Sequence, residues 1–146
     1  MTYDYHFDER YPLVYINVKG KDSFSGHIER INRVTSDSKW APGHNVLIDF
    51  TGTTEFEVSN RELEGVAAAQ ESRNVVIGDG KLAVVAPEDI IFGLTRMWEA
   101  LVETRTSMEI HVFRNREDAV RWLGFHEKRI DWKTGGRPFV GWGNHG

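Results

Sequence analysis

The chain has 146 residues, no cysteine and a formal net charge of -4 at neutral pH, with 40% hydrophobic and 27% charged residues. That length suits one ordinary domain, and the balance is that of a folded globular chain rather than a disordered one. The missing cysteines exclude disulfides, thiolate metal sites and a cysteine nucleophile, and the acidic charge argues against a nucleic-acid partner, which needs a basic face.

The opening stretch MTYDYHFDER has no basic segment followed by an apolar run, so no secretory leader is expected. No apolar stretch approaches the ~18 residues of a membrane span. The expectation is a soluble protein of the cytoplasm with no membrane span.

Tyr3, Tyr5 and Phe7 alternate with Asp4, His6 and Asp8, the period of a half-buried strand. After a polar turn at Asp8 to Arg10, the β-rich run Leu13 to Val18 ends at Gly20, and the pair reads as a hairpin. Asp22 or Ser23 caps a helix to about Val34, with Phe24, Ile28, Ile31 and Val34 as its buried stripe. Asn45 to Phe50 is a short continuous apolar run, as in a strand buried on both faces.

The segment Thr51 to Val58 reads as a loop leading to Ser59. Ser59 and Glu62 have capping-box spacing, and the helix they open turns Leu63, Val66 and Ala67 inward before ending near Ser72. Gly78-Asp79-Gly80 reads as a tight turn. It precedes a strand instead of joining a strand to a helix, so it is no phosphate loop. The strand KLAVVA follows, and Pro87 suits a helix start. The next helix is predicted to bury Ile90, Ile91, Leu94, Met97, Trp98 and Leu101. Met108 to Phe113 is the last strand. Asn115 caps a final helix carrying Ala119, Val120, Trp122 and Leu123, which Gly124 ends.

The expected division is therefore a domain over residues 1–124 and an aromatic, glycine-rich arm over 125–146. Trp132, Phe139 and Trp142 in that arm either fold back over the domain or dock on a partner chain, which makes the arm a candidate homo-oligomer contact.

The order β-β-α-β-α-β-α-β-α implies an α/β fold: a mixed sheet of about five strands, an N-terminal antiparallel hairpin and four helices. With a buried strand running into Ile48-Asp49-Phe50-Thr51-Gly52, this order resembles the SpoIIAA-like (STAS-type) fold. Two stretches are similar to a group of small uncharacterised bacterial proteins related to the STAS and CRAL-TRIO superfamilies. One is Ala86-Pro87 with Phe92 to Glu99. The other is Val112-Phe113-Arg114 with Glu117 to Gly124. The likeness spans Tyr3 to Gly124.

The resemblance implies two functions. On the CRAL-TRIO side it implies a non-enzymatic binding module for a small apolar or amphipathic ligand. On the side of the anti-sigma-factor antagonists it implies a protein-protein regulatory switch. In those antagonists a serine at the N-terminus of the next helix is phosphorylated. Here Glu57 stands for the preceding aspartate, Val58 occupies the place of that serine and Asn60 replaces a glycine, with Ser59 one position away.

The candidate residues follow. Ser59 is a helix cap by its spacing and a candidate phosphosite by its place. Arg96 lies within an apolar helix, where a guanidinium can hold a carboxylate of a ligand or of Glu55. Phe92, Met97 and Trp98 on that helix, with Thr51 and Glu55 opposite, are the candidate ligand-lining set. Asp49, Glu55 and Glu57 follow the central strand, at the end where α/β domains bind ligands. No nucleophile or histidine is tied to them by a known spacing. His6, His27, His44, His111, His126 and His145 form no metal-ligand spacing. No motif for a cofactor is present.

Overall fold

The structure is a computed structural model that describes residues 2–57, 59–125, 133–134 and 137–138. Six strands form one sheet: β1 (Thr2–Phe7), β2 (Leu13–Ser23), β3 (Asn45–Asp49), β4 (Thr53–Glu57), β5 (Lys81–Val85) and β6 (Glu109–Phe113). Five helices intervene: α1 (Phe24–Thr35), α2 (Asn60–Ser72), α3 (Asn74–Ile77), α4 (Asp89–Glu103) and α5 (Arg116–Leu123). Lys133–Thr134 and Arg137–Pro138 make a separate two-residue antiparallel pair.

The sheet order is β1-β2-β3-β5-β6, with β4 also paired to β2. The β1–β2 pair is antiparallel and every other pair in the sheet is parallel. Strands are added in one direction, so crossovers of one hand bring their helices to the same face. Accordingly α1, α2 and α4 cover one face, where Val34, Leu63, Val66, Ile91, Trp98 and Val102 meet Val14, Ile16, Ile48 and Val84. The final helix covers the other face, placing Ala119, Val120 and Leu123 on Leu47, Ala83 and Val85. Alternate residues of each strand serve alternate faces, as the two-residue strand period requires.

The segment expected as a loop after β3 is a strand. Its residues 53–57 pair in parallel with the second half of β2, while β3 pairs with the first half. Asp49 allows this by holding the jog between them: its Oδ1 accepts from the Thr51 amide at 2.8 Å and from the Thr51 hydroxyl. On the β2 side, Gly20 donates its N–H to Gly52 O at 2.9 Å, and its φ of 73° is one that side chains disfavour.

Helix α1 is turned from the predicted stripe. His27, Arg30 and Val34 are buried, while Ile28 and Ile31 are half-buried. Helix α4 is turned as well. It buries Ile91, Thr95, Trp98 and Val102, leaves Leu94 and Leu101 half-buried, and leaves Ile90 69% and Met97 45% exposed. Thr95 is tolerated inside because its hydroxyl donates to Ile91 O at 2.9 Å.

The turn at Gly78 and Gly80 is a place of close approach. A Cβ at Gly80 would lie 2.3 Å from His44 O, and one at Gly78 would lie 2.3 Å from the Gly43 amide nitrogen. Only glycine lets the two loops meet there.

Candidate functional site

The densest polar chemistry in the interior begins where β2 runs into α1. Ser23 caps α1, accepting from the Gly26 amide at 3.2 Å. Asp22 and Arg30 therefore lie on either side of the helix start and both point inward. Arg30 Nη1 and Nη2 donate to the two carboxylate oxygens of Asp22 at 2.7 and 2.8 Å. Their side chains are 0% and 2% exposed. Each cancels the other's charge in a place where neither could stand alone.

His27 sits one turn before Arg30, with Nδ1 3.3 Å from Arg30 Nη2. A guanidinium only donates, so Nδ1 accepts and the ring's proton resides on Nε2. Burial pushes the His27 pKa down to about 4, and the Arg30 charge adds to the effect against weaker opposition from Asp22 and Gln70. The ring is thus neutral at pH 7.

Two further helices complete the cluster. Gln70 of α2 accepts a side-chain hydrogen bond from His27, which favours its protonation, and Trp98 of α4 packs edge-on against the imidazole with ring centroids 5.4 Å apart. Trp98 Nε1 is buried without a hydrogen-bonding partner.

Two cavities adjoin these side chains. The first, of about 20 Å³, lies between the sheet, α2 and α4, lined by Phe50, Phe56, Leu63, Val66, Leu94 and Thr95. The second, of about 50 Å³, lies under α1 and is lined by Val34, Trp40, Ile77, Met108, Arg30 and Gln70 among others. His27, Ile48 and Trp98 line both. A larger polar groove of about 380 Å³ follows β1 past Tyr3, Tyr5, Arg33 and Asp37. It is less suited to an apolar ligand, and Tyr5 there already donates to Asp37 at 2.9 Å.

Of the residues singled out in sequence, the structure places Trp98 in the wall of both cavities. Phe92 is half-buried at the edge of the core, with the Arg114 guanidinium 3.9 Å from its ring centroid. Met97 points outward. Arg96 is exposed and pairs with Glu99, Nε to Oε1 3.6 Å. Glu55 and Glu57 flank Lys21 at 4.0 and 2.7 Å, and Thr51 is exposed beside Asp49. Arg96 and Glu55 form no ion pair with each other; their partners are Glu99 and Lys21.

Asp49 is buried at the end of β3 and separate from the Lys21 group, so the three carboxylates do not share one set of partners. Ser59 is exposed and caps α2, with the full capping box formed: it accepts from the Glu62 amide at 3.2 Å. Val58, Trp132, Phe139 and Trp142 lie outside the described residues. Among the described residues no cluster of histidines and carboxylates is suited to a metal ion, and no helix is long and apolar enough to cross a membrane.

No family model matches the chain, and no curated protein matches it. Among solved structures it is similar to an uncharacterized protein of the DUF3478 family, with a SpoIIAA-like fold, from Shewanella loihica PV-4. That likeness has a TM-score of 0.52 and 17% identity, and covers 84% of this chain and 96% of the other. Together with the six-stranded mixed sheet and its single-sided crossovers, it shows that this chain has a SpoIIAA-like fold.

Proposed function

We propose that the protein is a non-enzymatic binding module whose interior, between the sheet and α1, α2 and α4, receives a small and largely apolar ligand. One observation carries this reading. Two small apolar cavities lie between the sheet and these helices and share His27, Ile48 and Trp98 in their linings. Ligand sites are concave and mostly apolar. Of the candidate set, Trp98 lines both cavities, and Thr51, Glu55, Phe92, Arg96 and Met97 line neither.

Native mass spectrometry of protein purified from its own host tests this. The expected spectrum shows a reproducible small-molecule adduct that is lost on denaturation. Spectra containing only the bare chain would overturn the reading.

A second reading, the regulatory switch, is favoured by the exposed Ser59 hydroxyl at the start of a 13-residue helix. A phosphate there would meet the positive end of the helix. It would also displace Glu62, whose Oε1 lies 3.0 Å from Ser59 Oγ, and so open the capping box. Intact-mass analysis across growth conditions should show a phosphate located on Ser59; its absence under all of them would remove the switch.

A further inference from the structure

We infer that the outward face of α4 is the contact through which this chain forms a weak, antiparallel dimer with a second copy of itself.

A helix lying on a sheet ordinarily turns apolar residues to the core and polar ones to solvent. Helix α4 carries apolar residues on both. Ile91, Thr95, Trp98 and Val102 are buried against the core. Ile90, Gly93, Leu94, Met97, Ala100 and Leu101 make a second stripe at helical spacing, and no charged residue interrupts it. Ile90 is 69% and Met97 45% exposed. Gly93 and Ala100 are exposed, and Leu94 and Leu101 are half-buried.

Gly93 lies inside the helix, where glycine is weaker than alanine. A Cβ there would meet nothing within 4 Å, so packing within the chain does not require glycine at this position. The missing side chain does let another backbone come close.

Charge names the occupant and its direction. Asp89 and Arg96 are nearly two turns apart and so lie along one edge of the stripe. Their side chains are 91% and 55% exposed. Their partners within the chain, Arg114 and Glu99, leave both open to a further contact. In an antiparallel pair related by a two-fold axis, each edge meets the same edge of the other copy. Setting Asp89 level with Arg96 of the second copy then forms two opposite-charge contacts at once, whereas a parallel pair would oppose like charges. The same setting drops Ile90 between Leu94 and Met97 of the second copy, with Gly93 near the two-fold axis.

Helix α4 has 15 residues and is ~22 Å long. One such stripe covers less than the ~800 Å² per partner of a standard interface. The dimer is therefore transient and forms at micromolar to millimolar concentrations.

The test is sedimentation equilibrium of the full chain from about 10 μM to about 1 mM, for the natural protein and for Asp89→Lys, Arg96→Glu and Gly93→Gln. The natural chain should pass from monomer to dimer across that range. Each charge variant should dimerise at least about tenfold more weakly, since its homodimer opposes like charges twice. An equimolar mixture of the two should regain the natural affinity within about threefold, because every contact along the edge again joins opposite charges. Gly93→Gln should weaken dimerisation about tenfold while raising the melting temperature of the dilute protein, because glutamine is the better helix former.

A chain monomeric throughout, as when another segment or another protein covers the stripe, would overturn the proposal. So would a dimer that all three variants leave undiminished, or a mixture of the charge variants that associates no better than either alone.

Discussion

His27 is a histidine whose neutral form is built into the fold. Its Nδ1 takes a hydrogen bond from Arg30, and burial, with the Arg30 charge beside it, brings its pKa down from 6.5 to about 4. The unfolded chain binds a proton at this position below about pH 6.5, whereas the folded chain does so only below about pH 4. Between those values the unfolded state holds more protons, so stability rises with pH. Denaturant unfolding should therefore show stability falling progressively from about pH 6.5 to pH 4, by on the order of a few kcal/mol from this residue. His27→Gln should flatten that window; an unchanged slope would show that His27 does not cause it.

At this scale sequence reading was uneven. Trp98 stood out as an aromatic in an apolar helix, and it lines both cavities. His27, Arg30 and Gln70 did not, because polar residues on an amphipathic helix are ordinarily solvated. The available signal was spacing: His27, Arg30 and Val34 fall on one helical face, with Asp22 just ahead of the helix as a counter-charge.

Among elements, the join between β2 and α1 depends on Asp22 and Arg30. Removing one member strands a charge in the core. Asp22→Asn or Arg30→Met should each cost about 3–5 kcal/mol, and replacing both with apolar residues should cost less than the sum. Equilibrium denaturation of the three variants decides it, and additive single-mutant losses would mean that the two side chains act independently.

Element existence was largely legible, because strand and helix periods were strong in β1, β2, β3, β5, β6, α2 and α5. The exceptions were the four-residue α3 and, with more effect on the sheet, β4. Its pattern TTEFE has two exposed glutamates and one half-buried aromatic, too little apolar content to mark a strand. It becomes one through pairing with β2, a long-range cause that local pattern does not carry. The phase of α4 was misread for a related reason. Ile90 and Met97 are apolar yet exposed, and Thr95 is polar yet buried with its hydroxyl satisfied inside the helix.

Over the whole molecule, the single-sided crossovers produce an asymmetric sheet: three long helices over one face, and α5 as the one described helix packed on the other. The three-helix side holds both cavities and the buried polar cluster. Its small cavity volumes explain why the ligand proposed is small, and why a long amphipathic chain would need the helices to move. The SpoIIAA-like architecture was readable from element order together with the buried strand that runs into Ile48 to Gly52. The interior cavities were not, since they form only where α1, α2 and α4 converge.

The most direct measurement of the central claim is native mass spectrometry of the host-purified protein beside Val66→Phe, whose ring would occupy the cavity between α2 and α4. The account predicts an adduct on the natural chain and its loss from the variant, with both proteins folded by circular dichroism. An adduct retained undiminished by the folded variant, or absent from the natural chain, would contradict it.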